Sequence, residues 1–353
     1  MIYIIILTWN GIKYLPKLFE SLAGLDYPKE KTRILVIDSG STDGSREYLE
    51  KLDNIHLIKL DKNLGFVKGN NVGMQYALDH GAKYIVLLNQ DIEVEPDFLN
   101  YLVNTANSNE KIGIVQPLIL YYKNRNEINS YGNKLHYLGY GYCEGNHALV
   151  SSVQCPVSSV RVSGCQEITY ASAAAVLYKA EMLKKIGLFD ENIFAYHEDS
   201  EICLRARLKG YLTYLEPRSI IYHDYFFPTT KNKNRYFLME KNRLYIIFKF
   251  YKLKTILLIL PMIWFMDLGQ IYFSIKNKFF FEFIKSRLWF IFNFREFYKA
   301  RNKIQKNRQI GDRELTKDFV SEILYQEISN PLLDKIANPI MKMYWKFIKK
   351  LVL

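Results

Sequence analysis

The chain has 353 residues, 49% of them hydrophobic and 15% aromatic, with a formal charge of +12 at pH 7. That length accommodates one large domain, or a domain with an appendage, and ample material for a core. Cys143, Cys155, Cys165 and Cys203 include no CxxC pair, which argues against zinc. Three of them fall within 23 residues; a disulfide would fit there, but reduced cytosolic thiols are the expected state. Met1–Leu7 reads as a strand that begins at once, not as a charged and then apolar export signal.

The positive charge is local. Residues 231–308 hold 18 Lys/Arg against 4 Asp/Glu, a balance of +14, so the rest of the chain carries −2. Such a block, rich in Phe, Tyr, Leu and Ile, suits nucleic acid or an anionic membrane surface. No helix-turn-helix, zinc-finger or RNP-like pattern accompanies it, and apolar bulk is what a membrane face requires. The expected partner is therefore a membrane surface and not a nucleic acid.

From residue 1 to about 119, strands and helices alternate. Ile2–Thr8 is a strand that exits into Trp9-Asn10-Gly11, and Leu15, Leu18, Phe19 and Leu22 follow at helical spacing. Arg33–Asp38 is the second strand, with the loop Ser39–Gly44 and a short helix over Ser45–Leu52. Ile55–Lys59 is the third strand, and its exit loop Asp61–Phe66 leads into a helix over 67–80. Then comes the stretch that organises the rest, Tyr84-Ile-Val-Leu-Leu-Asn-Gln-Asp91. Its apolar run reads as a strand buried on both faces. The rhythm predicts a parallel, doubly wound sheet whose strand exits gather Asn and Asp on one rim, where open α/β folds bind ligands. Taken alone, Asp91 reads equally well as a turn cap. No GxGxxG follows the first strand, which weakens a dinucleotide-binding reading.

Ile112–Ile119 reads as another strand, residues 120–170 as irregular chain over the active rim, and Ala171–Tyr178 as a small-residue extended segment. Glu198, Asp199 and Glu201 open a helix carrying Ile202, Leu204 and Leu208. Acids there complement the helix dipole, yet a carboxylate beside a cleft is also what takes a proton from an alcohol. Massed negative charge raises the proton affinity of one member, which suits a base. Two short strands, Thr213–Leu215 and Ser219–Tyr222, end at His223. A histidine there is most often structural; with Asp91 it would make a sparse oxygen/nitrogen site for Mg²⁺ or Mn²⁺.

Six segments in order carry a family resemblance: Ile6-Leu-Thr-Trp-Asn10, Val36–Gly44, Asn63–Phe66 with Gly69–Gly73, Leu88–Asp91, Gly187–Asp190, and His197-Glu-Asp199 through Arg205. Over residues 2–225 the chain resembles family-two glycosyltransferases, within them the rhamnosyltransferase-like bacterial branch. The resemblance implies a GT-A fold, a Rossmann-like, mostly parallel sheet, and inverting transfer from a nucleotide-diphospho-sugar donor. It implies Asp38 on the base, Thr8, Trp9 and Asn10 around it, Asn63 near the nucleotide, and Asp91 on a divalent metal with His223 assisting. Asp199 would be the general base, with Glu198 as its competitor. The family's DxD-type signature begins with Asp where this chain has Asn89; Asn can bind a ribose hydroxyl but adds no charge. The QxxRW signature of processive synthases is absent, which implies one or a few sugars per encounter.

Thr255–Met266 is the most apolar run, only 12 residues and interrupted by Pro261. It falls short of a span unless Asp267 and Gln270 are tolerated, so an interfacial or half-inserted helical pair is expected. Asn338–Leu353 adds a basic amphipathic tail. The domains expected are a catalytic domain over 1–230, a basic, aromatic, helical membrane-associating region over 231–308 and a helical tail over 309–353. The resulting expectation is transfer of a sugar, rhamnose by resemblance, to a saccharide or lipid-linked acceptor in surface-polysaccharide synthesis on the cytoplasmic face of the membrane. The alternative is a catalytically degenerate scaffold or nucleotide-sugar-binding subunit of a synthesis complex, a reading that rests on Asn89.

Overall fold

In the computed structural model, residues 1–152, 164–225, 232–325 and 331–352 are described. Cys155 lies outside them, and no disulfide joins Cys143, Cys165 and Cys203. The chain divides into two compact units. The first is Met1–Asn133, Cys143–Ala206 and Tyr211–Tyr225; the second is Lys134–Tyr142, Arg207–Gly210 and Phe226–Leu353.

In chain order the first elements are β1 (Ile2–Thr8), α1 (Leu15–Ala23), β2 (Thr32–Ser39), α2 (Ser45–Leu49), β3 (Ile55–Leu60), α3 (Gly65–Asp79) and β4 (Tyr84–Asn89). They continue with β5 (Ile92–Val94), α4 (Phe98–Ser108), β6 (Ile112–Tyr121), β7 (Ile128–Ser130), β8 (Asn133–Leu135) and β9 (Gly141–Cys143). Next are β10 (Gln166–Glu167), β11 (Ala175–Lys179), α5 (Ala180–Ile186), α6 (Glu198–Leu208) and β12 (Leu212–His223). The helical remainder is α7 (Lys233–Phe250), α8 (Leu253–Lys276), α9 (Phe280–Phe292), α10 (Phe294–Asn307), α11 (Asp312–Leu315) and α12 (Asn338–Ile348).

The main sheet of the first unit has the strand order β10-β12-β6-β11-β4-β1-β2-β3. Strand alternation gives β1 two buried faces. Ile2, Ile4 and Ile6 join one apolar cluster with Leu15 and Leu18 of α1 and Phe98 and Leu102 of α4. Ile5 turns the other way, towards α3, where a side chain on Gly73 would come within 2.6 Å of the Ile5 methyl. Glycine there lets helix and strand approach closely.

The sheet is mixed, not wholly parallel. β1 pairs parallel with β2 and β4, and β2 with β3. β11, however, runs antiparallel between β4 and β6. The continuous apolar run of β4 signalled burial on both faces, and burial says nothing of the direction of a neighbour. The segment 120–170, read as irregular, contributes β7 to β10. The two short strands expected before His223 are one twelve-residue strand, β12, with an irregularity between Glu216 and Ile220. Because β11 is antiparallel, its entry lies on the same rim as the exits of β1, β2, β3 and β4. The Asn89 amide donates to Ala174 O at 2.8 Å there.

Candidate active site

Three strand exits are stitched to one another. The Asn10 amide donates to Ser41 Oγ at 2.9 Å, the Thr42 amide to Asn10 Oδ1 at 2.8 Å, and the Gly11 amide to Ser45 Oγ at 2.9 Å. Asn10 adopts φ +50°, a left-handed turn that Asn tolerates better than most residues. Gln90, which the sequence did not single out, binds the β1 exit to the β4 exit. Its Oε1 accepts from Thr8 Oγ1 at 2.7 Å and from the Trp9 amide at 3.1 Å. A Cβ on Gly11 would collide with both Gln90 Oε1 and Thr8 Oγ1, so that position requires glycine. Trp9 is left half exposed on this loop.

Asp38 ends β2 fully buried. Arg46 Nε donates to its Oδ2 at 2.6 Å, and the Ser41 amide to its Oδ1 at 3.2 Å. Arg46 also donates to Leu60 O at 2.8 Å, tying the ends of β2 and β3 together. Asn63 spends its Oδ1 locally, on the Gly65 amide at 2.8 Å. Asn63, like Asp38 with the Ser41 amide, thus uses a side-chain oxygen on its own turn.

Asp91 and His223 do come together. β12 pairs with β5 so that His223 lies opposite Ile92, and His223 Nε2 stands 3.4 Å from Asp91 Oδ1. The other ring nitrogen, Nδ1, is 3.1 Å from Asn129 Oδ1. Asn129 accepts only if Nδ1 carries a hydrogen, which makes Nε2, the nitrogen facing the carboxylate, the one that can offer a lone pair. Two lone-pair carriers at that distance need a proton or a cation between them. The donor set therefore fits a divalent cation with Asn129 as outer support; among the described residues the protein supplies these two ligands and no cluster of three. Beside them is a cleft lined by Lys13, Tyr14, Lys17, Glu93, Tyr122 and Asp224.

The acid pair opens α6. Asp199 Oδ1 accepts the Ser200 amide at 2.7 Å, and the Ala173 amide also lies against this carboxylate. That places Asp199 beside the rim segment that pairs with Asn89. Glu198 is the more buried of the two, and its Oε2 has no hydrogen-bond partner. Burial pushes both carboxyls above the ordinary carboxylate range, and the Asp199 charge pushes Glu198 further. Tyr170 and Tyr178, both buried, face the same negative charge, and burial first, then these carboxylates, raise their phenols. Arg205 anchors the helix: its Nε lies 2.7 and 2.9 Å from the two Glu201 oxygens, and its other nitrogens donate to Ile186 O at 2.6 Å and Leu188 O at 2.5 Å.

Hydrogen-bonded loops at the strand exits, a carboxylate–imidazole pair and a second acid pair on one mixed sheet fit a GT-A type nucleotide-sugar fold. The chain belongs to the family described as Glycosyl transferase family 2, which matches residues 3–187. It is 27% identical over 224 residues to the dTDP-rhamnosyl transferase RfbF of Shigella flexneri, covering 61% of this chain and 66% of that protein. It is 24% identical to the N-acetylglucosaminyl-diphospho-decaprenol L-rhamnosyltransferase of Mycobacterium tuberculosis, covering 59% of this chain and 72% of that protein. Among solved structures, GalNAc-T7 with UDP, GalNAc and Mn²⁺ superposes with a TM-score of 0.60 at 15% identity, covering 82% of this chain and 57% of that one. That likeness is one of fold. The matched region is just under two-thirds of the RfbF length, and the C-terminal helical unit lies beyond the family match.

Proposed function

We propose that the protein is an inverting, non-processive glycosyltransferase that moves one sugar from a nucleotide-diphosphate donor to a hydroxyl of a lipid-linked saccharide. The observation that carries this is the placement of Asp199, a carboxyl raised by burial, on the rim that also holds Asn89 and the Asp91–His223 pair. The names of two relatives, a dTDP-rhamnosyl transferase and a rhamnosyltransferase acting on a diphospho-decaprenol, favour dTDP-rhamnose as donor and a polyprenyl-linked acceptor. Surface-polysaccharide synthesis on the cytoplasmic membrane face is the setting we propose.

In this reaction the acceptor O–H gives its proton to Asp199 while the oxygen forms a bond to the anomeric carbon. The bond from that carbon to the diphosphate oxygen breaks, and the nucleoside diphosphate departs with the electron pair. Asp199 is suited to the task because its raised proton affinity keeps it a competent base near neutrality. The loops at Thr8–Asn10 and Asp38 hold the base, and Asn89 takes a ribose hydroxyl. Asp91 and His223 would hold a divalent cation, which when bound neutralises charge on the leaving diphosphate. Asn129 keeps the His223 ring in the tautomer that can bind it.

The test is release of nucleoside diphosphate from dTDP-rhamnose by purified protein, with and without chelator. Asp91→Ala is expected to abolish turnover and His223→Ala to lower it less. Full turnover in Asp91→Ala, or in chelator, rejects the metal assignment. Donor binding without any turnover, under all conditions, favours the degenerate-subunit reading instead.

A further inference from the structure

α8 is 24 residues long with a mean hydropathy of 1.7 in its most apolar window, long and apolar enough to cross a bilayer. Only 22% of that window is buried. The exposed positions are not scattered. Leu253, Leu257, Trp264, Leu268, Tyr272 and Ile275 are each between 57% and 69% exposed. At about 100° per residue, they all fall within roughly 100° of arc on one face.

The opposite face is buried through Ile259, Met262, Ile263 and Met266, and the polar groups that border it are paired. Arg287 of α9 donates to Asp267 Oδ1 at 2.7 Å and reaches Glu240 Oε2 of α7 at 3.1 Å. Arg243 of α7 lies 2.9 Å from Glu240 and 3.5 Å from Asp267. Gln270 accepts from Tyr236 Oη at 3.1 Å. A helix that crossed the membrane would carry this four-charge network to mid-depth. Lys241, Asn242 and Lys249 of α7 are buried in the same unit, and such groups cannot enter hydrocarbon cheaply.

The neighbouring helices repeat the pattern. On α9, Phe281, Leu288 and Phe292 are exposed on one side, while Phe283, Ser286 and Arg287 turn inward or half inward. On α12 and the turn after it, Met343, Phe347 and Leu351 are exposed on one face, with Lys346 and Lys350 lining the same groove. Met341, Trp345 and Ile348 are buried behind them. Exposed lysines stand at both ends of α8, at Lys252 and Lys254 and at Lys276 and Lys278.

We infer that α8, α9 and α12 form an in-plane anchor in one leaflet of an anionic membrane, with α8 lying along the interface and not across it. This rests on the membrane setting proposed above and specifies its geometry. The charge decides between lipid and a second copy of the chain as the occupant. Exposed Lys252, Lys254, Lys276, Lys278, Lys346 and Lys350 border these stripes, so two such faces brought together would stack like charges, whereas anionic headgroups attract them. The apolar stripes enter the acyl boundary, the lysines meet the headgroups, and the Glu240–Arg243–Asp267–Arg287 network stays on the protein side.

The experiment uses the full chain and vesicles of phosphatidylcholine with or without about one-third phosphatidylglycerol. Flotation is expected with the anionic vesicles and at least about tenfold weaker with the neutral ones. The variant Trp264→Gln/Leu268→Gln/Phe281→Gln is expected to lose flotation with an unchanged melting temperature, because all three side chains are already exposed. A membrane-impermeant amine reagent added outside intact vesicles should label Lys252 and Lys254 as fully as Lys276 and Lys278. Opening the vesicles with detergent should add nothing to either pair. If one end is labelled only after opening, α8 crosses, and the in-plane inference falls while the membrane setting stands. If the triple variant floats as wild type does, the named face is wrong. If the wild type binds neither vesicle, the membrane setting itself is rejected, and self-association in cross-linking would identify a second copy as the occupant.

Discussion

Glu198 and Asp199 are adjacent, yet their surroundings give them different work. Asp199 is held by backbone amides that include those of Ser200 and Ala173, whereas Glu198 is buried with one oxygen unpartnered. Asp199→Asn should therefore lower turnover at saturating donor by about a hundredfold or more, the usual worth of a general base, with donor affinity nearly unchanged. Turnover in wild type should fall as pH drops through the raised Asp199 value, on an acid limb above the ordinary carboxylate range near about 4. That limb should survive in Glu198→Gln; its loss there would transfer the role to Glu198. Stability gives an independent reading. The folded-state proton affinity of Glu198 exceeds its unfolded one, so its contribution is present while it is protonated and is lost as pH rises through the raised value. Glu198→Gln should hence melt higher than wild type at alkaline pH, with the gap narrowing towards pH 5, as differential scanning fluorimetry can check. Gln90 acts through the loop it holds. Gln90→Ala strands the buried Thr8 hydroxyl, costs about 1–3 kcal/mol, and should raise donor KM more than it lowers kcat.

At the scale of elements, α6 is tied to the segment before it by Arg205, whose buried ion pair with Glu201 lies within the helix. Arg205 closes on Glu201 and on the carbonyls of Ile186 and Leu188, so the loop that leads to the acid pair cannot drift. Removing the arginine leaves a buried carboxylate without its countercharge. Arg205→Met should cost about 3–5 kcal/mol, and the double variant with Glu201→Met should recover much of that, because the penalty is the orphaned charge. Denaturant melts of the two variants decide the point. Equal stability of single and double variants would mean that the carbonyl contacts, and not the ion pair, hold the loop.

For the molecule as a whole, the first unit gathers the residues proposed to bind the donor on one rim, so a correct donor should stabilise it as a unit. Donor at about a hundred times its dissociation constant adds about 2.7 kcal/mol to the folded state. A melting-temperature panel of dTDP- and UDP-sugars with Mg²⁺ should single out dTDP-rhamnose. An equal or greater shift with a UDP-sugar would overturn that donor assignment. Loss of the shift in Asn129→Leu, whose His223 is released from its tautomer, would tie the effect to the carboxylate–imidazole pair.

The strands β1 to β4, helices α1 and α3 and the acidic start of α6 were legible in the sequence because apolar period and turn residues are local signals. The ordered motifs fixed the family for the same reason: the loops at the strand exits are short and contiguous. Direction and partnership are not local. Nothing in Ala171–Tyr178 announces that β11 runs antiparallel, since a strand buried on both faces has one pattern whichever way its neighbours point. Gln90 looked like a spacer between Asn89 and Asp91 until folding brought Thr8 and Trp9 onto its carbonyl. Asn129, distant in sequence from both Asp91 and His223, acquired its part only when β7 and β12 met β6. Asp267 and Gln270 read as flaws in an apolar run, and the sequence left open whether α8 crosses a membrane. Their pairing with Arg287 and Tyr236 assigns one face of α8 to protein and leaves the other exposed, a distinction composition cannot make because both faces contribute to the same average.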